Sequence, residues 1–123
     1  MKQALVLFAH GARDARWAEP FEKLAARLRQ MQPALRVELA FLELMAPRLP
    51  ECVATLVAAG IEEVSVVPVF LGQGGHVLRD LPLLLEQLRQ AHPQLRLQAA
   101  SAVGEDASVQ EAMARYCLST LEK

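Results

Sequence analysis

The chain has 123 residues, 53% of them hydrophobic and 22% charged, with a formal net charge of −1 at pH 7. This length and composition are typical of one globular domain and exclude a disordered segment. The small net charge argues against nucleic acid as a partner, because phosphates require a basic field. The apolar runs fall short of the roughly 20 residues that a membrane helix needs. No signal-peptide pattern precedes the first strand pattern, so we expect neither a membrane span nor a secretory leader.

The first half of the chain alternates strand and helix patterns. Residues 4–9 form a continuous apolar run, typical of a strand that is buried on both faces of a parallel sheet. Apolar residues recur at helical spacing over residues 17–31, which predicts the first helix. Residues 36–42 begin with polar and apolar residues in alternation, which indicates a strand nearer the sheet edge. A second helix is predicted from about Leu49 to the glycine at position 60.

The second half repeats this alternation. Residues 64–71 predict a third buried strand and residues 95–100 a fourth. Between them, Asp80 is suited to be the N-cap of the third helix, with Pro82 in its first turn. The last helix carries an apolar stripe that we expect to be buried: Val109, Ala112, Met113, Tyr116 and Cys117.

The order βαβαβαβα predicts an α/β fold with one doubly wound, mainly parallel sheet of four strands and helices on both faces. The simplest strand order is 2-1-3-4, in a single domain that spans residues 1–123. Ligands of such sheets bind beyond the carboxyl ends of the strands, where the winding reverses. Four residues each follow a different strand at that end: His10, Glu43, His76 and Glu105. We expect the fold to bring them to one rim, with Glu105 as a turn residue.

Two imidazoles and a carboxylate are suitable ligands for a divalent transition metal. His10 and His76 each lie beside glycine just past a buried strand, and Glu43 follows the strand between them in sequence. A histidine in such a place is also compatible with a hydrogen-bonded turn residue, and a glutamate with a solvated side chain. The residues alone therefore leave a metal site and ordinary turns both open.

Arginines and glycines also gather in the segments that leave the strand ends. The arginines are Arg13, Arg16, Arg48 and Arg79. Guanidinium groups there could bind a polycarboxylate in paired hydrogen bonds, or could serve solubility alone. Gly72, Gly74 and Gly75 allow a bulky group to approach the backbone closely. Their spacing lacks the phosphate-loop pattern, and Ala9 stands where histidine phosphatases carry arginine.

The two cysteines, Cys52 and Cys117, lie in helical patterns without a CxxC motif. We expect reduced thiols rather than a disulfide or a metal pair, and hence a cytoplasmic protein.

These motifs resemble those of the short sirohydrochlorin chelatases, the small CbiX type. The resemblance lies in residues 7–14 (LFAHGARD), 41–43 (FLE), 68–82 (PVFLGQGGHVLRDLP) and 103–106 (VGED). It spans nearly the whole chain, and the combination of HGxR with PxFLxxGxH is specific. Ala12 departs from the serine that many members carry.

The resemblance implies a class II chelatase that needs no ATP and inserts Co²⁺, or Fe²⁺ or Ni²⁺, into sirohydrochlorin for cobalamin or sirohaem. It implies that His10, Glu43 and His76 hold the metal and act in catalysis, with no cofactor beyond the substrate metal. It also implies a homodimer, because short forms pair to complete the cleft. The expected substrate-binding residues are Arg13, Arg16, Arg48, Gly74, Gly75 and Arg79. Two alternatives remain: a non-enzymatic metal or tetrapyrrole carrier on the same fold, and a flavodoxin-like interaction module with incidental histidines.

Overall fold

The computed structural model describes residues 2–72 and 74–121, and the side chains of His76 and Leu78 lie outside the described part. The strands are β1 (Gln3–Ala9), β2 (Arg36–Phe41), β3 (Glu63–Pro68) and β4 (Arg96–Ala99). The helices are α1 (Glu19–Met31), α2 (Leu49–Ala58), α3 (Gly75–Ala91) and α4 (Ala107–Ser119). Short 3₁₀ helices at Ala15–Ala18 and Val103–Glu105 precede α1 and α4.

The strands form one parallel sheet in the order β2-β1-β3-β4. The predicted α/β class and the predicted strand order 2-1-3-4 are therefore confirmed. β1 is central, and its Val6 pairs with Glu38 on one side and with Val66 on the other. A strand with partners on both edges and helices on both faces has no solvent-facing side, which explains its continuous apolar run.

One face of the sheet is covered by α2 and α3. Val6 and Phe8 point toward it from β1, and both are fully buried. The two helices contribute rows of buried residues: Leu49, Cys52, Val53 and Leu56 from α2, and Val77, Leu81, Leu85 and Leu88 from α3. Burying a large apolar side chain contributes about 1.5–3 kcal/mol, so this face holds most of the core.

The opposite face of the sheet is covered by α1 over β1 and β2. Ala25 of α1 packs against Leu7 and Val37. Toward β3, Val67 and Val69 join the same cluster but are only partly buried. This face is therefore covered unevenly, and its β3 side is more open to solvent.

The last helix does not bury the stripe that its sequence predicts. No described residue of α4 is buried, and Tyr116 is 71% exposed. The predicted burial of these five residues is wrong within one chain: Val109, Ala112, Met113, Tyr116 and Cys117. The physical reason is that a helical repeat of apolar residues marks a face that can be covered, without specifying the surface that covers it.

The third helix begins one and a half turns before the predicted N-cap. Gly74 is the N-cap, Gly75 is the first helical residue, and Pro82 lies inside the helix rather than in its first turn. Asp80, predicted as the N-cap, is likewise inside α3. Val77 is only 5% exposed, so the buried stripe of the helix extends a turn earlier than the proline suggests. Burial of that extra turn offsets the backbone hydrogen bond that a proline removes.

The third and fourth strands end earlier than predicted, at Pro68 and Ala99. Beyond β3 the chain leaves the sheet, and the carbonyl oxygen of Phe70 accepts a hydrogen bond from the Gly104 N–H (2.8 Å). The segment after β3 therefore contacts the segment after β4. Among the described residues, no helix is long and apolar enough to cross a membrane.

Candidate metal centre

The candidate site begins where β1 and β2 end side by side. Backbone hydrogen bonds between these two segments continue past the ends of the strands. The Leu42 N–H donates to the Ala9 carbonyl (2.9 Å), and the Glu43 N–H donates to the His10 carbonyl (3.1 Å). These bonds hold His10 and Glu43 next to each other although 33 positions separate them in the sequence. The His10 Nε2 atom lies 3.4 Å from the Glu43 Oε2 atom.

That separation suits two ligands of one cation. Nitrogen and oxygen ligands lie about 2.1 Å from a divalent transition metal, and at a tetrahedral angle they are about 3.4 Å apart. The side chains of His10 and Glu43 are each 48% exposed, so the pair faces solvent rather than a closed core. The pair can therefore take up a cation from solution and leave coordination positions open.

Gly11 makes this close approach possible. Its φ is +99°, in the left-handed region, and a Cβ atom there would lie 1.8 Å from the carbonyl oxygen of Glu43. No side chain fits in that space, so the turn after β1 requires glycine. The HG pair in the sequence thus combines a candidate ligand with the residue that brings Glu43 to it.

The aromatic ring of Phe70 packs against the His10 imidazole. The Phe70 ring meets the His10 ring edge to face, with 6.3 Å between centroids, and meets the Phe8 ring in the same manner at 6.0 Å. Phe8 is fully buried in the core. The imidazole is therefore oriented by a ring that is itself anchored to the sheet. Sequence reasoning missed this role, because Phe70 is only one more apolar residue in a run.

The segment after β3 is held in place by the one after β4. A Cβ atom at Gly104 would lie 2.1 Å from the carbonyl oxygen of Leu71 and 2.4 Å from its Cα atom. The two backbones are thus in direct contact just before the α3 N-terminus. This contact was also missed, because nothing near Gly104 in the sequence indicates a neighbour more than thirty positions away.

His76 lies in the first turn of α3, at the same end of the sheet as His10 and Glu43. The predicted ligand role falls on its side chain, which is outside the described residues. Among the side chains that the structure describes, no three of His, Cys, Asp and Glu come together as a metal-binding group. The described part of the candidate centre is therefore the His10–Glu43 pair.

The predicted arginines lie around this end with different partners. Arg16 Nη2 donates to the Asp14 carboxylate at 2.8 Å, and this pairing lowers the pKa of Asp14 and raises the pKa of Arg16. The Arg48 N–H donates to the Glu51 carboxylate (2.9 Å) at the start of α2, while its side chain is exposed. Arg13 and Arg79 are exposed as well.

The two glycines predicted to bind substrate, Gly74 and Gly75, begin α3. A Cβ atom built at either position meets no atom within 4 Å, so the space above them is open. Glu105, expected as a turn residue, lies exposed in the 3₁₀ helix before α4.

Comparison with known proteins gives one consistent result. The profile of the CbiX family matches residues 4–119. The sirohydrochlorin cobaltochelatase of Methanopyrus kandleri is 38% identical over 82 residues, covering 67% of this chain and 57% of that protein. The chain thus matches less than two thirds of that relative's length. The sirohydrochlorin cobaltochelatase of Saccharolobus solfataricus is 28% identical over 125 residues, covering 97% and 96% of the two chains.

The fold agrees with a solved structure of the same family. A crystal structure described as a candidate cobalamin (vitamin B12) biosynthesis CbiX protein from Marinobacter aquaeolei VT8 is 32% identical, with a TM-score of 0.86 over 98% of each chain. The family match spans almost all of β1 to α4, including the turns that carry His10 and Glu43. The chain belongs to the CbiX family.

Proposed function

We propose that this protein is an ATP-independent metal chelatase, a lyase that inserts a divalent metal into sirohydrochlorin. Co²⁺ is the favoured metal, with Fe²⁺ or Ni²⁺ as alternatives, and the product would serve cobalamin or sirohaem biosynthesis. The observation that carries the proposal is the 3.4 Å separation of His10 Nε2 and Glu43 Oε2 at the open end of the sheet. The names of the relatives from Methanopyrus and Saccharolobus support the same activity.

The reaction replaces two pyrrole protons of the ring with one divalent cation. His10 and Glu43 would hold the cation, and His76, which starts the neighbouring helix, is the proposed third ligand. As the pyrrole nitrogens replace these ligands, Glu43 or a released histidine would accept the protons. General-base assistance of this kind is typically worth about 10²–10⁴-fold in rate.

The proposed ring-binding surface surrounds the pair. Gly74 and Gly75 leave the start of α3 open, and the backbone N–H groups at the start of a helix favour an anionic group. Leu44 and Leu71 are 57% and 74% exposed and follow β2 and β3 at this end, offering apolar contact to a flat macrocycle. The carboxylates of the ring would meet the proposed guanidinium groups: Arg13, Arg16, Arg48 and Arg79. Of these, Arg16 would have to share its guanidinium with Asp14.

We further propose that residues 1–123 act as a single chelatase-like domain, in the cytoplasm, as a homodimer. The half-exposed pair of His10 and Glu43 would contact one face of the ring, and a second copy of the chain would cover the other face.

The test is an anaerobic assay with sirohydrochlorin and Co²⁺, followed by the change in the absorption spectrum of the ring. We expect many turnovers per chain, with His10→Ala and Glu43→Gln each slowing the reaction by about 10²-fold or more. His92→Ala is the matched control, because His92 precedes β4 at the opposite end of the sheet, and its rate should equal that of the unchanged protein. Binding of one ring per site without turnover would favour a carrier instead. Full activity of both site variants would refute the metal centre.

A further inference from the structure

The last helix has an apolar surface that no hydrophobic cluster of the described residues covers. Val109 and Met113 are partly exposed, and Tyr116 is 71% exposed on the same side of α4. No residue of α4 belongs to any hydrophobic cluster of the described chain. A helix with such a stripe is normally buried along it. The stripe of α4 therefore requires a covering surface from elsewhere.

The sheet also has an incompletely covered surface, on the face that α1 covers only in part. Leu5, Ser65 and Gln98 lie side by side in register across β1, β3 and β4, and an open groove runs over them. Val67, farther along β3, and Val69, just after its end, are only partly buried. Parallel sheets are normally covered by helices on both faces. Among the described residues, this groove is where the face over β3 and β4 lacks a covering helix.

The chain's own connection directs α4 away from that groove. Gly104, in the connection, is buried against the Leu71 backbone, and its N–H donates to the Phe70 carbonyl. The Gln110 side chain then donates to the Gly104 carbonyl (2.6 Å), and Asp106 caps the first turn of α4. These contacts determine the direction in which α4 leaves the sheet.

The surface area of the chain indicates how much cover is missing. Its solvent-accessible area is 8066 Å². A compact monomer of this mass is expected to expose about 6,500 Å², so the excess is about 1,500 Å² per chain. A standard protein interface needs about 800 Å² from each partner. The excess is therefore larger than the area that each partner contributes to a standard interface, and it suffices for a dimer.

We infer that two copies exchange their last helices, so that α4 of each chain covers the β3–β4 groove of the other. Each copy has both an exposed stripe and an open groove. The exchange therefore buries the stripe of each copy in the groove of the other. The inference rests on the homodimer proposed above and specifies how it is built; it does not depend on metal insertion.

Engineered disulfides test the exchange directly. In a Cys117→Ser background, Ser65→Cys would be combined in turn with Val109→Cys, Met113→Cys and Tyr116→Cys, then oxidised with diamide. We expect at least one pair to give a covalent dimer on a non-reducing gel. The matched control pairs Ser65→Cys with Ala114→Cys, on the opposite side of α4, and should stay uncrosslinked. A disulfide closed within one chain, or no disulfide in any of the three pairs, would overturn the exchange.

Charge substitution gives an independent reading. By light scattering at tens of micromolar, the unchanged protein should be a dimer, Met113→Glu a monomer with retained helix content by circular dichroism, and Ala114→Glu a dimer. A monomeric unchanged protein would overturn the inference even if it inserts metal. If the dimers crosslink but do not insert metal, the helix exchange is supported and the proposed chelatase function is refuted.

Discussion

Gly11 and Glu43 are in direct backbone contact: a Cβ atom on Gly11 would come within 1.8 Å of the Glu43 carbonyl oxygen. Next to this contact, the Glu43 N–H donates a hydrogen bond to the carbonyl of His10, the residue before Gly11. It brings the turn after β1 against the turn after β2, and so determines the separation of the two candidate ligands. This relationship should make the candidate metal centre sensitive to a change that removes neither candidate ligand.

Gly11→Ala should therefore weaken metal binding while both ligands remain in place. The left-handed φ of +99° and the clash would lower the free energy of unfolding by about 1–3 kcal/mol. We expect the Kd for Co²⁺ to rise at least tenfold, measured by isothermal titration. Gly72→Ala is the control, because its Cβ meets nothing within 4 Å. Equal Co²⁺ affinity of Gly11→Ala and the unchanged protein would contradict this role.

Gly104→Ala should disturb the site from a distance. The added methyl group would overlap the Leu71 backbone, which cannot yield as a flexible side chain can. We expect a loss of about 1–3 kcal/mol in the free energy of unfolding, measured in urea, and slower metal insertion. If stability is unchanged, the contact between the segments after β3 and β4 does not contribute as described.

Gly75→Leu should separate substrate binding from folding. The position is the first of the helix and has no atom within 4 Å of a built Cβ, so a side chain there should not disturb the fold. If the tetrapyrrole lies over this backbone, the KM for sirohydrochlorin should rise about tenfold or more while thermal stability is kept. Gly75→Ala, with a smaller side chain, should have a smaller effect. An unchanged KM in Gly75→Leu would place the ring elsewhere.

Cys52 should be almost unreactive toward thiol reagents at neutral pH. Burial, and secondly the charge of Glu38, raises the pKa of its thiol to about 11 because both disfavour the thiolate. At pH 8 about 0.1% is thiolate, against about a quarter of an ordinary thiol. In a Cys117→Ser variant, the rate with Ellman's reagent should be low at pH 8 and rise about tenfold per pH unit up to pH 10. Denaturant should abolish the protection. Fast reaction of the native variant at pH 8 would show that Cys52 is accessible.

The sequence by itself determined the class of fold, the strand order and the family. Continuous apolar runs at β1 and β3 require strands buried on both faces, and helices between them require parallel crossovers, so few topologies remain. The closeness of His10 and Glu43 was also predicted from sequence, because residues that follow parallel strands meet at one edge. The start of α2 was predicted correctly at Leu49, but the start of α3 was not: Pro82 suggested a later start than the burial of Val77 allows.

Only the tertiary structure decided how the site is held and where the last helix lies. The clash distances at Gly11 and Gly104 and the ring contact between Phe70 and His10 join segments far apart in the chain. The stripe of α4 was recognised from its spacing, but none of its described residues is buried within the chain. Local spacing encodes which face of an element is apolar, whereas the partner of that face depends on the path of the whole backbone, which no single segment specifies.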